Sequence, residues 1–169
     1  DTAETLANSG FVPIIEPVRN NLRGLERTLR AICDAGGQAI VVVNPRHGDL
    51  ADDGEPISNL LAEAIEDFDN ISAGVFLHQE MSVADAMEIF NAHQEHEPCF
   101  IHAGFQFAAQ LSAALGEGLA ANKHIFFERY CGQIYLNHFA EAQRVLLRDG
   151  FERRRNADHP EVEKFSELH

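Results

Sequence analysis

The feature that most constrains this chain is an alternation of two hydrophobic periods. Short apolar runs of strand length are each followed by an amphipathic run of helix length. The strand-like runs are Phe11–Glu16, Ala39–Asn44, Ser72–His78, Cys99–His102 and His124–Glu128. The helical stripes between them are Leu22, Leu25, Leu29 and Ile32, then Ile57, Leu60, Leu61 and Ile65, then Val83, Ala86, Met87 and Phe90, then Phe107, Ala108, Leu111 and Leu115. A last helix is expected from about Asn137 to Gly150, on Phe139, Ala142, Val145 and Leu146. The run Ala39-Ile40-Val41-Val42-Val43 has no polar alternation, which marks a strand buried on both faces, as in a parallel sheet. Pro13 places the first strand early or at an edge. Local signals set the helix ends. Asn20-Asn21 caps one start and Gly36-Gly37 stops that helix. Pro56 suits a first helical position, and Ser82 with Asp85 resembles a capping box.

Five strand–helix units in one chain of 169 residues make a single α/β domain, 1–169, with 151–169 as a C-terminal extension. Parallel strands joined by right-handed crossovers are implied. Two architectures satisfy this. One is part of a (β/α) TIM-like barrel, whose complete form needs roughly 250 residues. The alternative is an open doubly wound five-stranded sheet, which would bind a nucleotide where strand order reverses, near Asn44 or His78. The opening Asp1–Gly10 reads as the last turns of a helix and the chain stops at His169 without a cap, so a fragment of a larger barrel is expected.

Charge and cysteine usage narrow the partners. The 27 acidic and 13 basic side chains give a net charge of −14, a field that repels phosphate backbones and makes nucleic acid an unfavourable partner. A local basic patch is still available at Arg153-Arg154-Arg155, with Arg144 and Arg148 before it. No apolar run approaches the roughly 20 residues that span a bilayer. The cysteines, Cys33, Cys99 and Cys131, are widely spaced with no C-x-x-C, which fits reduced, buried thiols in a cytoplasm.

In parallel α/β folds ligands bind at the carboxyl ends of the strands. Every strand-like run here finishes in a polar residue: Glu16, Asn44, His78, His102 and Glu128. Just beyond lie Arg19, Arg46, His47, Asp49, Glu80 and Arg129. Two carboxylates and two imidazoles at one rim suit hydrolytic chemistry. Glu16, His78, His102 and Glu128 are the candidate acids, bases or ligands of a divalent metal. Asn44 is a candidate hydrogen-bond donor and Arg46 an anion clamp. The plain alternative is that strands end in polar residues because loops begin there. Neither H-x-H nor H-E-x-x-H occurs, and His93 and His96 beside Glu95 and Glu97 read as a solvated helix face. There is no G-x-S-x-G elbow.

Two stretches, Phe-Val-Pro-Ile-Ile-Glu-Pro-Val (11–18) and Val-Val-Val-Asn-Pro-Arg-His-Gly-Asp (41–49), resemble the bacterial and phage "beta protein" family. The tail Leu147–Phe151, Arg155–Pro160 and Phe165–His169 resembles the segment leading into the C-terminal third of such proteins. The resemblance implies a barrel-like fold, with one more N-terminal strand and helix and a longer C-terminus than this chain carries. It implies a place in bacterial gene pairs linked to phage conflict. By the motif match it points to Glu16, Asn44, Asp49, Arg155, Asn156 and Asp158 as the positions that matter. Two functions stay open. One is a hydrolase or phosphodiesterase acting on a small or phosphorylated ligand. The other is a non-catalytic module that binds a neighbouring gene's product or senses a phage component through an exposed apolar patch; exposed sheet edges of a partial barrel would also favour oligomers.

Overall fold

The computed structural model describes residues 2–51, 53–65 and 68–148. Six strands form one sheet, β1 (Ile14–Ile15), β2 (Ala39–Val42), β3 (Ile71–Leu77), β4 (Cys99–His102), β5 (Lys123–Phe127) and β6 (Gln143–Leu147). Their spatial order is their chain order, and every neighbouring pair is parallel. Helices alternate with them: α1 (Thr2–Asn8), α2 (Arg23–Asp34), α3 (Glu55–Ala64), α4 (Val83–Ala92), α5 (Ala108–Leu115) and α6 (Gln133–Asn137). A sequential parallel order has no switch point. The open doubly wound alternative, and nucleotide binding at a reversal of strand order, are therefore overturned.

The sheet is curled. In a flat sheet β1 and β6, five strand spacings apart, would sit about 24 Å from each other. Instead Ile14 of β1 and Leu147 of β6 line one cavity of about 390 Å³ and pack on the same apolar cluster. That inner cluster is Ile40, Val42, Cys99, Ile101 and Ile125. Gly74 of β3 lies within it, where an added Cβ would fall 2.7 Å from Ile101 Cδ1 and 2.9 Å from Ile40 Cγ2. The absence of a side chain there lets the concave face close. The result is the α/β partial barrel expected from the alternation.

The outer face carries two further cores, one on each half. Leu29 and Ile32 of α2 and Ile57 and Leu61 of α3 cover Val41, Ile71 and Ala73. On the other half Phe90, Leu111 and Phe139 cover Val75, Phe100 and Phe126. Phe90 and Phe100 stack at 4.6 Å between centroids. Burying each such ring stabilises the fold by about 1.5–3 kcal/mol.

The capping box at α4 is present: Ser82 Oγ accepts from Asp85 N at 3.1 Å, and Ser82 N donates to Asp85 Oδ2 at 3.2 Å. The Ser82 hydroxyl, which donates to Asp85 Oδ2 at 2.7 Å, and then the Ser82 backbone N–H hold the Asp85 carboxyl below its usual range. Pro56 opens α3, and Asn21 Oδ1 accepts from Arg23 N at the start of α2.

The sequence reading needs correction at the last unit. Residues 143–147, expected in a helix, are strand β6, paired with β5 from Lys123↔Gln143 to Phe127↔Leu147. The helix there is only α6. A parallel partner offers β6 a ladder of backbone hydrogen bonds, and this overrides a short three-and-four spacing of apolar residues.

Candidate functional site

The carboxyl ends of β1, β2 and β3 converge on the loop Asn44–Asp49. Asn44 ends β2 by using its side chain as a strand would use its backbone. Its Nδ2 donates to Phe76 O at 2.9 Å, and its Oδ1 accepts from Phe76 N at 2.7 Å. Both polar ends of Asn44 are thereby spent on β3, and the chain is released at Pro45. Asp49 likewise ties the loop down: its N donates to Val18 O at 2.9 Å and its Oδ2 accepts from Asn20 N at 3.3 Å.

Glu16 sits at the centre. Its Oε1 accepts from Arg46 N at 2.7 Å, from His47 N at 3.1 Å and from His47 Nδ1 at 2.9 Å. Two backbone donors thus fix the carboxylate, and the carboxylate fixes the imidazole. With Nδ1–H donating to Glu16, the second ring nitrogen of His47, Nε2, is left for solvent, and the side chain is 72 % exposed. Glu16 also lines the 390 Å³ cavity, whose other walls include Phe76, Ile101 and Phe127.

On the other side of the loop lies a cleft of about 500 Å³, lined by Arg46, His78, Glu80 and Ser58 among others. Arg46 Nη1 lies 3.0 Å from His78 Nδ1, and Nη2 donates to Glu80 Oε2 at 3.0 Å. Glu80 N also points at His78 Nδ1, at 3.3 Å. Arg46 Nη1 also lies 3.3 Å from His78 Nε2, so the guanidinium faces both ring nitrogens.

The other sequence candidates stand apart from this cluster. His102 does not reach the mouth. Strand parity turns Ile101 inward and His102 outward, where it is fully buried between β4, β5 and α6. There it stacks on Phe126 at 4.3 Å between centroids and bonds to Tyr135 and His124. The convergence of His102 with Glu16 and His78 is therefore withdrawn. Glu128, just past β5, is held by Arg148 through bonds of 2.5 and 2.6 Å. This pairing keeps its carboxyl below the usual range and links the ends of β5 and β6. His93, expected on a solvated face, is buried; its Nε2 lies 2.9 Å from Ser58 Oγ and its Nδ1 donates to Ile89 O at 2.8 Å. Arg155, Asn156 and Asp158 fall outside the described residues.

Comparison with protein-family models, with curated proteins and with solved structures finds no match. The site is accordingly read from its own geometry. Among the described residues no three His, Cys, Asp or Glu side chains converge in a metal-binding group. What does converge is a carboxylate–imidazole pair beside an arginine. Of these, His47 was placed by the sequence just beyond a strand end but was given no role. The available signal was its place beside Arg46, in the same post-strand loop.

Proposed function

We propose that this half-barrel is a hydrolase or phosphodiesterase whose mouth acts on a small phosphorylated substrate, with His47 as general base. The Glu16–His47 pair carries the reading. A carboxylate that orients an imidazole through Nδ1 leaves Nε2 free to take a proton from water as that water attacks. The same proton then passes to the leaving oxygen. Arg46 supplies the anion clamp. Its partner Glu80 is 74 % exposed on the side chain, and such a pair is worth only about 0–1 kcal/mol. A substrate phosphate can displace Glu80 at little cost and accept the guanidinium in bidentate fashion. Glu16 and the Asn44–Asp49 loop come from the two segments that resemble the beta protein family, and their meeting here supports assigning those motifs to one site.

The test is turnover of p-nitrophenyl phosphate and bis-p-nitrophenyl phosphate, with and without Mn or Zn. His47→Ala and Glu16→Gln are expected to lower the rate by about 10²–10⁴-fold. The far-ultraviolet circular dichroism of His47→Ala should be unchanged, since His47 is exposed. No turnover by the wild-type protein, or equal turnover by His47→Ala, defeats the proposal.

A second reading, a partner-binding module, draws on exposed apolar residues at both sheet edges. Phe11 and Val12 precede β1, and Val145 and Leu146 lie on β6. It predicts a stable complex with the neighbouring gene's product and no loss on His47→Ala.

A further inference from the structure

Helix α3 carries a serine bonded to an imidazole. Ser58 Oγ lies 2.9 Å from His93 Nε2. The other ring nitrogen, Nδ1, donates to Ile89 O at 2.8 Å. A carbonyl can only accept, so the proton of the neutral ring sits on Nδ1, and Nε2 accepts from the serine hydroxyl. His93 is 8 % exposed and Ser58 is half-buried. The helix does not require this pairing. A helical serine is ordinarily satisfied by the carbonyl four residues back, and Ser58 has that acceptor too, Gly54 O at 3.1 Å. The Glu16–His47 chemistry uses neither residue.

The pair opens on a cleft. Gly54, which directly precedes α3, sits so close to the end of β2 that an added Cβ would fall 2.0 Å from Val43 O. That approach brings the first turns of α3 to the strand-end rim, where Ser58 lines the 500 Å³ cleft together with Arg46. His93, at the C-terminal end of α4, backs the serine. Val43, Pro45, Met81 and Ile89 give the cleft apolar walls. A nucleophile, a base within reach, a third group that orients the base and a cation on the same cleft are the parts that acyl transfer needs.

We propose that Ser58 and His93 form a second catalytic centre, which hydrolyses an uncharged carboxylic ester through an acyl-serine. Ser58 Oγ bonds to the carbonyl carbon as its proton passes to His93 Nε2. The carbonyl electron pair moves onto oxygen, in the field of the Arg46 guanidinium. When that pair returns, the bond to the leaving oxygen breaks, and the leaving oxygen takes the proton from Nε2. Water then adds to the acyl carbon, gives its proton to Nε2, and Ser58 Oγ departs with that proton. The Nδ1–H stays on Ile89 O throughout. The products are a carboxylic acid and an alcohol, with nothing oxidised or reduced. The apolar walls suit an aliphatic acyl group. A carbonyl supports an imidazolium less strongly than a carboxylate does, so turnover should be slow and the covalent step the clearest readout.

The experiment is incubation of the whole chain with a fluorophosphonate, whose phosphorus Ser58 Oγ attacks with loss of fluoride, followed by peptide mass spectrometry. Modification at Ser58 is expected, at least about tenfold faster than at Ser112, a serine of α5 that bonds Ala109 O at 3.1 Å but no imidazole among the described residues. p-Nitrophenyl butyrate should give a stoichiometric burst of p-nitrophenol. Ser58→Ala should abolish both signals while keeping the circular dichroism of the wild type. His93→Gln should slow the labelling at least about tenfold. If that variant does not fold, Ser58→Cys decides: iodoacetamide should alkylate the introduced thiol at least about tenfold faster than the half-buried Cys33. The proposal fails if Ser58 is not modified, or if Ser112 is modified as fast. It also fails if labelling is unchanged in His93→Gln, or if the introduced thiol reacts no faster than Cys33.

Discussion

The protein is expected to lose stability steeply as pH falls from about 6.5 to about 4, and His124→Phe is expected to flatten that loss. His102 and His124 are both fully buried. His102 Nε2 lies 2.9 Å from His124 Nδ1, and His102 Nδ1 lies 2.7 Å from the Tyr135 hydroxyl. One proton occupies the space between the two rings, so a second cannot enter without setting two N–H groups face to face. The remaining nitrogen, His124 Nε2, is buried with no hydrogen-bond partner among the described residues, amid Phe100, Phe126 and Phe139. Burial therefore lowers the pKa of His124 to about 4; burial, and then His124 itself, push that of His102 well down. The unfolded chain takes up protons near pH 6.5 while the folded one does not. Stability supplied by the neutral pair is thus complete above that pH, and is lost as pH drops toward the folded pKa. For His124 alone the loss is on the order of 3 kcal/mol, a large share of the 5–15 kcal/mol typical of a domain. Phe at 124 keeps the stacking and removes the titration, but strands His102 Nε2 at a cost of about 1–3 kcal/mol. The variant should be less stable than wild type at pH 7.5 and should close that gap by pH 4.5. Urea midpoints across this range decide it; parallel slopes for the two proteins would sink the argument.

The same histidines show where the sequence was legible and where it was not. β2 to β5 are found within a residue or two of their expected limits, because a fully buried strand must be written as an unbroken apolar run. Ser82 and Asp85 announced α4 because a cap is a local device. Strand parity is not local in this sense. Ile101 and His102 are adjacent in a run of four buried residues, and the run itself does not say which one faces the helices. The useful signal was the two-residue step from Phe100 to His102 and from His124 to Phe126, which puts both imidazoles on an aromatic face. β6 was hidden for another reason. Its exposed Gln143-Arg144-Val145-Leu146 carries no buried pattern, and only its pairing with β5 makes it a strand. The mouth was half visible: Glu16 and Arg46 were marked by strand ends, whereas the orienting of His47 depends on where the loop folds back.

That fold-back hinges on Gly48, and Gly48→Ala is expected to cost about 2–4 kcal/mol and to dismantle the Glu16–His47 pair. Gly48 has φ of +78°, a region that charges a side chain roughly 1–2 kcal/mol. Its added Cβ would fall 2.0 Å from Val18 O and 2.7 Å from Val18 C. Both obstacles are backbone, so no rotamer change relieves them. The chain at Val18 must move, and with it goes the 2.9 Å bond from Asp49 N to Val18 O, worth about 0.5–1.5 kcal/mol. Gly104→Ala is the internal control. Gly104 also has positive φ, +100°, but an added Cβ there meets nothing within 4 Å, so it should show the strain alone. Urea unfolding of the two variants separates clash from strain. Because His47 directly precedes Gly48, turnover should fall in Gly48→Ala as it does in His47→Ala, while Gly104→Ala keeps it. A Gly48→Ala protein within about 0.5 kcal/mol of wild type would mean that the loop does not press on Val18 as described, and the carboxylate–imidazole pair would lose its scaffold along with its claim to catalysis.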